Sequence, residues 1–208
     1  MNKSNYLWLL DAGHGGVLNG IYTTAPAKMW RFNDGYTICE GVINRYITRK
    51  VYNQLNELGI DWMPVYDEHE DTRLEERVKI ADRIYETDKR AIYLSIHSNA
   101  NNGKGGSGFE IFTSPGQTKS DKVANVFCET YQKFFPQFKF RRDFADGDAD
   151  KEADFFVLRK TDCPALLVEN LFLDNRPEAE FLHSPEGQQK IANCIVSSIQ
   201  NVERLKPI

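Results

Sequence analysis

Three apolar segments of the chain each lead into a side chain that can bind a metal ion or carry a proton. These side chains are His14, His97 and Glu169. Apolar runs of about four to eight residues bounded by turn residues are typical of buried strands. If those strands run parallel, their carboxyl ends share one edge of the sheet, which is where α/β proteins bind ligands. We therefore expect the three groups to lie close together.

A fourth candidate, Glu40, opens a predicted helix. Apolar residues follow it at spacings of four and three, which indicates one buried helical face, and Gly59 suits a C-terminal cap. The face consists of Ile43, Ile47, Val51, Leu55 and Leu58. If this helix starts beside the shared sheet edge, Glu40 can converge with the groups at the strand ends.

This set of side chains suits a catalytic zinc site. Such sites use three protein ligands, imidazole or carboxylate, and keep one position open for water. Two histidines and one glutamate fill the set, and the remaining glutamate can act as general base and acid. Zinc lowers the pKa of its bound water to about 7. No H-E-x-x-H motif occurs, so the helix-borne metalloprotease arrangement is excluded. Taken alone, each histidine can equally be a ligand, a general base or a structural residue.

Strands and helices alternate along the chain. Further strands are predicted at 60–65 and 109–113, and further helices after the cap residues Thr72, Ser120 and Ser184. This alternation predicts an α/β fold, with a twisted, mostly parallel or mixed central sheet of about six strands and helices on both faces. We find neither an internal repeat nor a linker, and we expect a single catalytic domain, residues 1–208.

The composition excludes several classes of protein. The 208 residues are 41% hydrophobic and 27% charged, with a net charge of −4 and no basic cluster, so a nucleic-acid partner is not expected. No apolar run reaches the roughly 20 residues of a transmembrane segment. The four cysteines are widely spaced, which argues against a disulfide framework or a zinc finger. The N-terminus lacks the apolar region of a signal peptide. We expect a monomer that is made in the cytoplasm or that starts at a mature end.

The motifs, read in order, resemble the zinc-dependent N-acetylmuramoyl-L-alanine amidases of the amidase-3 type, which are peptidoglycan hydrolases. The matching stretches are 10–16, Glu40 with Asn44, 71–74 with Arg77 and Ala81, 95–100, 157–159 and 164–173. The resemblance implies a phosphorylase/hydrolase-like fold. It also implies that His14, Glu40 and His97 bind Zn²⁺ and that Glu169 is the catalytic acid/base.

The implied reaction is hydrolysis of the amide between the lactyl group of N-acetylmuramic acid and L-alanine of the stem peptide. Peptidoglycan is then the partner, and the enzyme acts on the cell wall, in the periplasm or outside the cell. A phage or prophage lysis enzyme (an endolysin) and a bacterial wall-remodelling enzyme both fit. Two other functions stay open: a zinc peptidase that cuts within the stem peptide, and a non-catalytic wall-binding module.

The chain departs from the family at two places. The loop 17–39 is longer than usual, and we expect it to shape substrate choice. Asn170 and Leu171 follow Glu169 where relatives often carry a small residue, which predicts a narrower cleft near the base. Next to His14, we expect Gly15 and Gly16 to leave room for the open metal position.

Other polar clusters favour simpler interpretations. His69 lies among acidic residues and is expected in a solvated loop, and His183 is expected at the surface. The acidic stretch 146–152 does not match an EF-hand, because its sixth and twelfth positions are Lys151 and Val157. We expect a solvated loop there. The alternative is that segment 141–154 borders the cleft and that its acids, Asp146, Asp148 and Asp150, contact an amine of the stem peptide.

Overall fold

A computed structural model describes residues 4–144 and 147–205. Its strands are β1 (Leu7–Ala12), β2 (Val17–Leu18), β3 (Ile21–Tyr22), β4 (Met29–Arg31), β5 (Thr37–Cys39), β6 (Trp62–Pro64), β7 (Ala91–Asn99), β8 (Phe109–Thr113), β9 (Lys151–Glu152) and β10 (Ala165–Phe172). Its helices are α1 (Glu40–Leu58), α2 (Leu74–Thr87), α3 (Lys119–Phe134), α4 (Phe156–Lys160), α5 (Arg176–His183) and α6 (Pro185–Glu203).

Six of the strands form one mixed sheet in the order β6-β1-β7-β10-β8-β9. β1 runs parallel to β6 and β7, β7 runs parallel to β10, and β8 is antiparallel to β10. The predicted α/β class and the mixed sheet of about six strands are confirmed. Because β1, β7 and β10 are parallel neighbours, their carboxyl ends share one edge, as the sequence predicted.

Both faces of the sheet are buried. Alternate residues of β1 belong to different clusters: Trp8 and Leu10 pack with α1, α3 and α6, whereas Leu7 and Leu9 pack with α2 and α4. Alternation of this kind follows from the two-residue period of a strand. His97 and Glu169 have the same parity as the residues that face α2 and α4, so the candidate site opens on that side.

Two of the predicted helix starts are wrong. α2 begins at Leu74 without a side-chain cap, since the Thr72 hydroxyl instead accepts a hydrogen bond from the Asp67 backbone. The α3 cap is Thr118, which forms a capping box with Asp121. Ser184 does cap α6, as expected. Within the described residues, no helix has the length and apolar content needed to cross a membrane.

The long loop 17–39 is structured. It forms two small hairpins, β2-β3 and β4-β5. The second hairpin closes where the Glu40 backbone N–H donates to the Lys28 carbonyl over 2.9 Å. Its outer turn is fastened to α5 by an ion pair between Asp34 and Arg176, 2.6 Å apart. The loop therefore leaves the sheet after β1 and returns to a fixed point at the start of α1.

Candidate metal and catalytic site

The three predicted metal ligands meet at the sheet edge. His14 Nε2 lies 3.1 Å from Glu40 Oε2, and His97 Nδ1 lies 2.9 Å from Glu40 Oε1. The centroids of the two imidazole rings are 5.0 Å apart, and the rings meet edge to face. One donor atom from each residue lies within 4.8 Å of the others. The structure thus brings an imidazole–carboxylate–imidazole set together from three separate elements.

Tight backbone packing orients the two histidines. His14 has φ 63, a left-handed conformation that is uncommon for a residue with a side chain. A Cβ on Gly13 would lie 2.1 Å from the His97 ring, so only glycine fits there. Gly15 and Gly16 lie where neighbouring loops pack closely. A Cβ on Gly15 would meet Thr23 and Asp71, and one on Gly16 would meet Glu68, so these glycines make room for the loops.

Glu40 owes its position to the first turn of α1, where the helix dipole favours a carboxylate. Its Oε1 also accepts a hydrogen bond from the Ser98 backbone over 3.3 Å, and the Asn44 amide lies 3.5 Å away. Burial opposes ionisation, but hydrogen bonds and the charges of His14 and His97 outweigh it and lower the pKa of Glu40 to about 2. Glu40 is therefore an ionised, buried carboxylate between two imidazoles.

This donor set fits a divalent transition metal. Two imidazole nitrogens and one carboxylate oxygen match the ligands of catalytic zinc sites, which leave a fourth position open. A buried carboxylate is also costly unless a cation balances its charge. Among the described residues, His14, Glu40 and His97 are the group whose spacing suits a metal ion.

Glu169 lies beside this set on the next strand. It is in register with His97 on β7 and with Glu110 on β8, so all three side chains share one face. Its Oε2 is buried and has no hydrogen-bond partner among the described residues. Burial, together with the carboxylates of Glu40 and Glu110, raises the pKa of Glu169 well above its ordinary value. Such a carboxyl holds a proton more readily than an exposed one.

The strand is irregular directly after Glu169. The register shifts between Glu169 and Phe172, and Leu171 has φ 62. Asn170 donates to the His97 carbonyl over 3.0 Å and accepts from the Tyr131 hydroxyl over 3.0 Å. Asn170 and Leu171 are fully buried on the α3 side, so the predicted narrowing of the cleft is wrong. Asn170 instead ties β10 to β7 beside both site residues.

A second buried network supports the His14 turn and was missed in the sequence. Asp11 forms an ion pair with Arg77 and accepts hydrogen bonds from the Tyr93 and Ser95 hydroxyls, 2.7 Å each. Arg77 also donates to the carbonyls of Ala12 and His14 over 2.9 Å. Asp11 and Arg77 both lie in stretches that match the family, but their pairing was not predicted because they are 66 positions apart.

A cleft of about 380 Å³ opens next to the histidines. Its walls include His14, His97, Thr23, Asp71, Arg73 and Val157. The loop 17–39 contributes Thr23 and Ala25 to this wall, whereas its aromatic residues Trp30, Phe32 and Tyr36 pack against the core. His69 and His183 are both exposed, as expected, and lie outside the cleft wall.

Asp150 in the acidic segment is buried, so the expected solvated loop is wrong at this residue, and the alternative contact with the cleft is wrong there too. Asp150 accepts a hydrogen bond from Thr113, whose parity on β8 is opposite to that of Glu110, so Asp150 lies on the α3 face. The cations Arg141 and Lys151 are the groups that reach the site side, where both pair with Glu110. Asp146 lies outside the described residues.

Comparison with known proteins places this chain in a family. The sequence profile of the family N-acetylmuramoyl-L-alanine amidase (Amidase_3) matches residues 9–201. The chain belongs to this family. Its class is therefore that of enzymes that hydrolyse the amide bond between N-acetylmuramic acid and L-alanine in peptidoglycan.

Individual relatives agree with this membership. The chain is 28% identical over 215 residues to the endolysin of Bacillus phage SPP1, covering 98% of this chain and 68% of that protein. It is 41% identical over 101 residues to the N-acetylmuramoyl-L-alanine amidase CwlM of Bacillus licheniformis, covering 48% of this chain and 36% of the relative. The matched region thus spans only part of these proteins.

Solved structures share the fold. The N-acetylmuramoyl-L-alanine amidase AmiC2 of Nostoc punctiforme superposes with a TM-score of 0.77 at 24% identity, covering 98% of this chain and 100% of that one. The catalytic domain of CwlV, an N-acetylmuramoyl-L-alanine amidase from Bacillus (Paenibacillus) polymyxa, gives 0.75 at 23% identity, with coverage of 97% and 99%.

Proposed function

We propose that this amidase uses a zinc ion held by His14, Glu40 and His97, with Glu169 as the group that moves protons. The observation that carries the proposal is the convergence of the three ligand atoms within 4.8 Å of one another, one strand away from the buried carboxyl of Glu169. Zinc, when bound, supplies Lewis-acid polarisation of the scissile carbonyl and of water.

The chain's own residues account for the proton transfers. The Glu169 carboxylate accepts a proton from the attacking water as the new C–O bond forms. It then returns that proton to the L-alanine nitrogen as the C–N bond breaks, so its charge is restored after each turnover. A group with this role needs a pKa near the working pH, which burial beside other carboxylates favours.

The surrounding residues hold these groups in place. Asn170 directly follows Glu169 in the sequence, and its side chain donates a hydrogen bond to the His97 backbone carbonyl. Asn44 donates to the Gly13 carbonyl over 3.3 Å and lies against Glu40. His97 and Glu169 lie on strands and Glu40 lies at a helix start, elements that hold side chains more precisely than loops do. His14 lies in the turn after β1, where Arg77 donates a hydrogen bond to its backbone carbonyl.

Product analysis combined with metal analysis tests the proposal. Peptidoglycan is digested with protein of measured zinc content, and the products are identified by mass spectrometry. We expect intact stem peptides with a free L-alanine N-terminus, and loss of this product after chelation. Fragments cut within the stem peptide would indicate the zinc peptidase instead, and binding without products would indicate a wall-binding module.

We propose the cell wall as the place of action, in line with the names of the relatives. The similarity to a phage endolysin supports a lysis role, whereas the amidases of bacteria support wall remodelling. Lysis from outside by added protein, compared with release of wall fragments during growth, separates the two roles.

A further inference from the structure

A groove with a basic lining lies at the β8–β9 end of the sheet edge. We call it the basic groove; its volume is about 390 Å³ and its lining residues are Lys139, Phe140, Arg141, Arg142, Phe144 and Lys151. It is separate from the cleft beside the histidines, with which it shares no lining residue. Its lining carries four cations, Lys139, Arg141, Arg142 and Lys151.

The basic groove continues the row of site residues along one face of the sheet. Glu169 is in register with Glu110 on β8, and Lys151 on β9 is in register with Phe112, which has the same parity as Glu110. Lys151 Nζ lies 2.6 Å from Glu110 Oε1, and Arg141 Nε lies 2.9 Å from the same oxygen. With strands about 4.8 Å apart, β9 lies about 10 Å from the strand of Glu169.

Within the described residues, two of the four cations in the basic groove form ion pairs. One carboxylate, Glu110, faces two cations, Arg141 and Lys151. Within residues 4–144 and 147–205, neither Lys139 nor Arg142 forms an ion pair with a carboxylate. In the cleft on the other side of the histidines, acidic and basic groups alternate: Asp11 pairs with Arg77, and Asp71 lies near Arg73. An anionic part of the substrate is therefore better accommodated in the basic groove.

We propose that the basic groove binds a free carboxylate of the stem peptide, on the leaving-amine side of the scissile bond. This proposal rests on the amidase function proposed above. An extended chain advances about 3.3–3.6 Å per residue, so a carboxylate on the second residue lies about 7 Å beyond the cleaved amide. Arg141 and Lys151 reach toward this position where they pair with Glu110, one strand from Glu169. The second residue of a stem peptide, D-glutamate linked through its side chain, offers such a carboxylate.

Matched substrates test the proposal. Two synthetic muramoyl peptides are compared that differ only at the second residue, D-glutamate with a free α-carboxylate or its amide, at about 0.15 M salt to screen distant charges. We expect wild type to show a KM about tenfold lower for the acid, which corresponds to about 1.4 kcal/mol. The variant with both Lys139→Gln and Arg142→Gln should lose this difference, with kcat within twofold.

The choice of variants separates recognition from structure. Lys139→Gln with Arg142→Gln leaves both ion pairs of Glu110 intact, and Lys151→Met removes only one of them. Lys50→Met, a half-buried lysine on α1, is the matched control and should change neither KM. Equal KM increases for acid and amide in the groove variants would overturn the proposal, because a structural role does not distinguish the substrates.

Binding of the product supplies a readout that does not depend on turnover. Calorimetry with the dipeptide L-Ala-D-Glu and with its amide should show about tenfold tighter binding of the acid, lost in the double variant. If wild type binds the acid preferentially but cleaves neither substrate, the amidase function fails and the groove stands. If the variants lose activity only on walls that carry anionic polymers, the groove binds such a polymer and the proposal is wrong.

Discussion

The Asp11 carboxylate and the Arg77 guanidinium form a buried ion pair at the base of the turn that presents His14. Each residue is 1% exposed. Removing one partner leaves a buried charge uncompensated, which typically costs about 3–5 kcal/mol. We expect Arg77→Met to lower the free energy of unfolding by that amount in urea denaturation. Arg83→Met, at an exposed position of the same helix, should change it by less than about 0.5 kcal/mol. Equal effects of the two substitutions would contradict the role given to the pair.

Replacement of Glu169 separates proton transfer from metal binding. Glu169→Gln keeps the shape but cannot accept the proton, so kcat should fall by about 10²–10⁴, while bound zinc stays at the wild-type level. Because glutamine carries no titratable group, the same substitution should leave the free energy of unfolding unchanged or raise it. The exposed change Glu57→Gln is the control. A kcat within tenfold of wild type would exclude Glu169 as the acid/base.

Metal binding should stabilise the protein through all three ligands. Ligand present at about 1,000 times its Kd stabilises a folded state by about 4 kcal/mol. A chelator should therefore lower the melting temperature of wild type but not of His97→Ala, which should contain no zinc by elemental analysis. His69→Ala, a change at an exposed histidine, should behave like wild type. Full zinc content in His97→Ala would remove it from the ligand set.

Stability should depend on the titration of Asp150, on the face of the sheet opposite the site. Burial and the neighbouring Asp148 carboxylate raise the pKa of Asp150 to about 7. Since its folded-state pKa exceeds the unfolded value, its contribution is present at low pH and is lost as pH rises through about 7.

The change Asp150→Asn should remove this dependence. The asparagine keeps an acceptor for the Thr113 hydroxyl and presents an amide to Asp148. In urea denaturation from pH 4 to 8, its free energy of unfolding should gain about 1–3 kcal/mol relative to wild type. A constant difference across that range would show that Asp150 does not titrate on folding.

The strand-end groups were predictable because local pattern and topology agree. Apolar runs before His14, His97 and Glu169 identify buried strands, and parallel neighbours bring their ends together. Glu40 followed from helical periodicity behind it, although Leu58 at the end of that face is exposed. The α3 start was missed even though Thr118 and Asp121 have capping-box spacing; the proposed cap, Ser120, instead accepts from the Ala165 backbone.

The supporting contacts were not predictable from local pattern. Asn170 reaches Tyr131 only because the strand shifts register after Glu169, and a register shift depends on the neighbouring strands. The position of Lys151 beside Glu110 was not predictable either. It depends on the pairing of β8 with β9, which decides which residues of segment 147–152 lie on each side of the sheet. The sequence shows which types of residue are present, whereas the pairing of distant strands decides which of them become neighbours.

The hydrogen bond that closes the second hairpin holds the backbone of Glu40 in place whatever the length of the hairpin. Lys28 and Glu40 are 12 positions apart, yet their backbones are joined by a hydrogen bond of 2.9 Å. The segment between them therefore leaves the structure and returns to it at the same point. Its length can change through insertion or deletion without moving the carboxylate of Glu40. The hairpin can thus vary in length and composition while the backbone at the start of α1 stays in place.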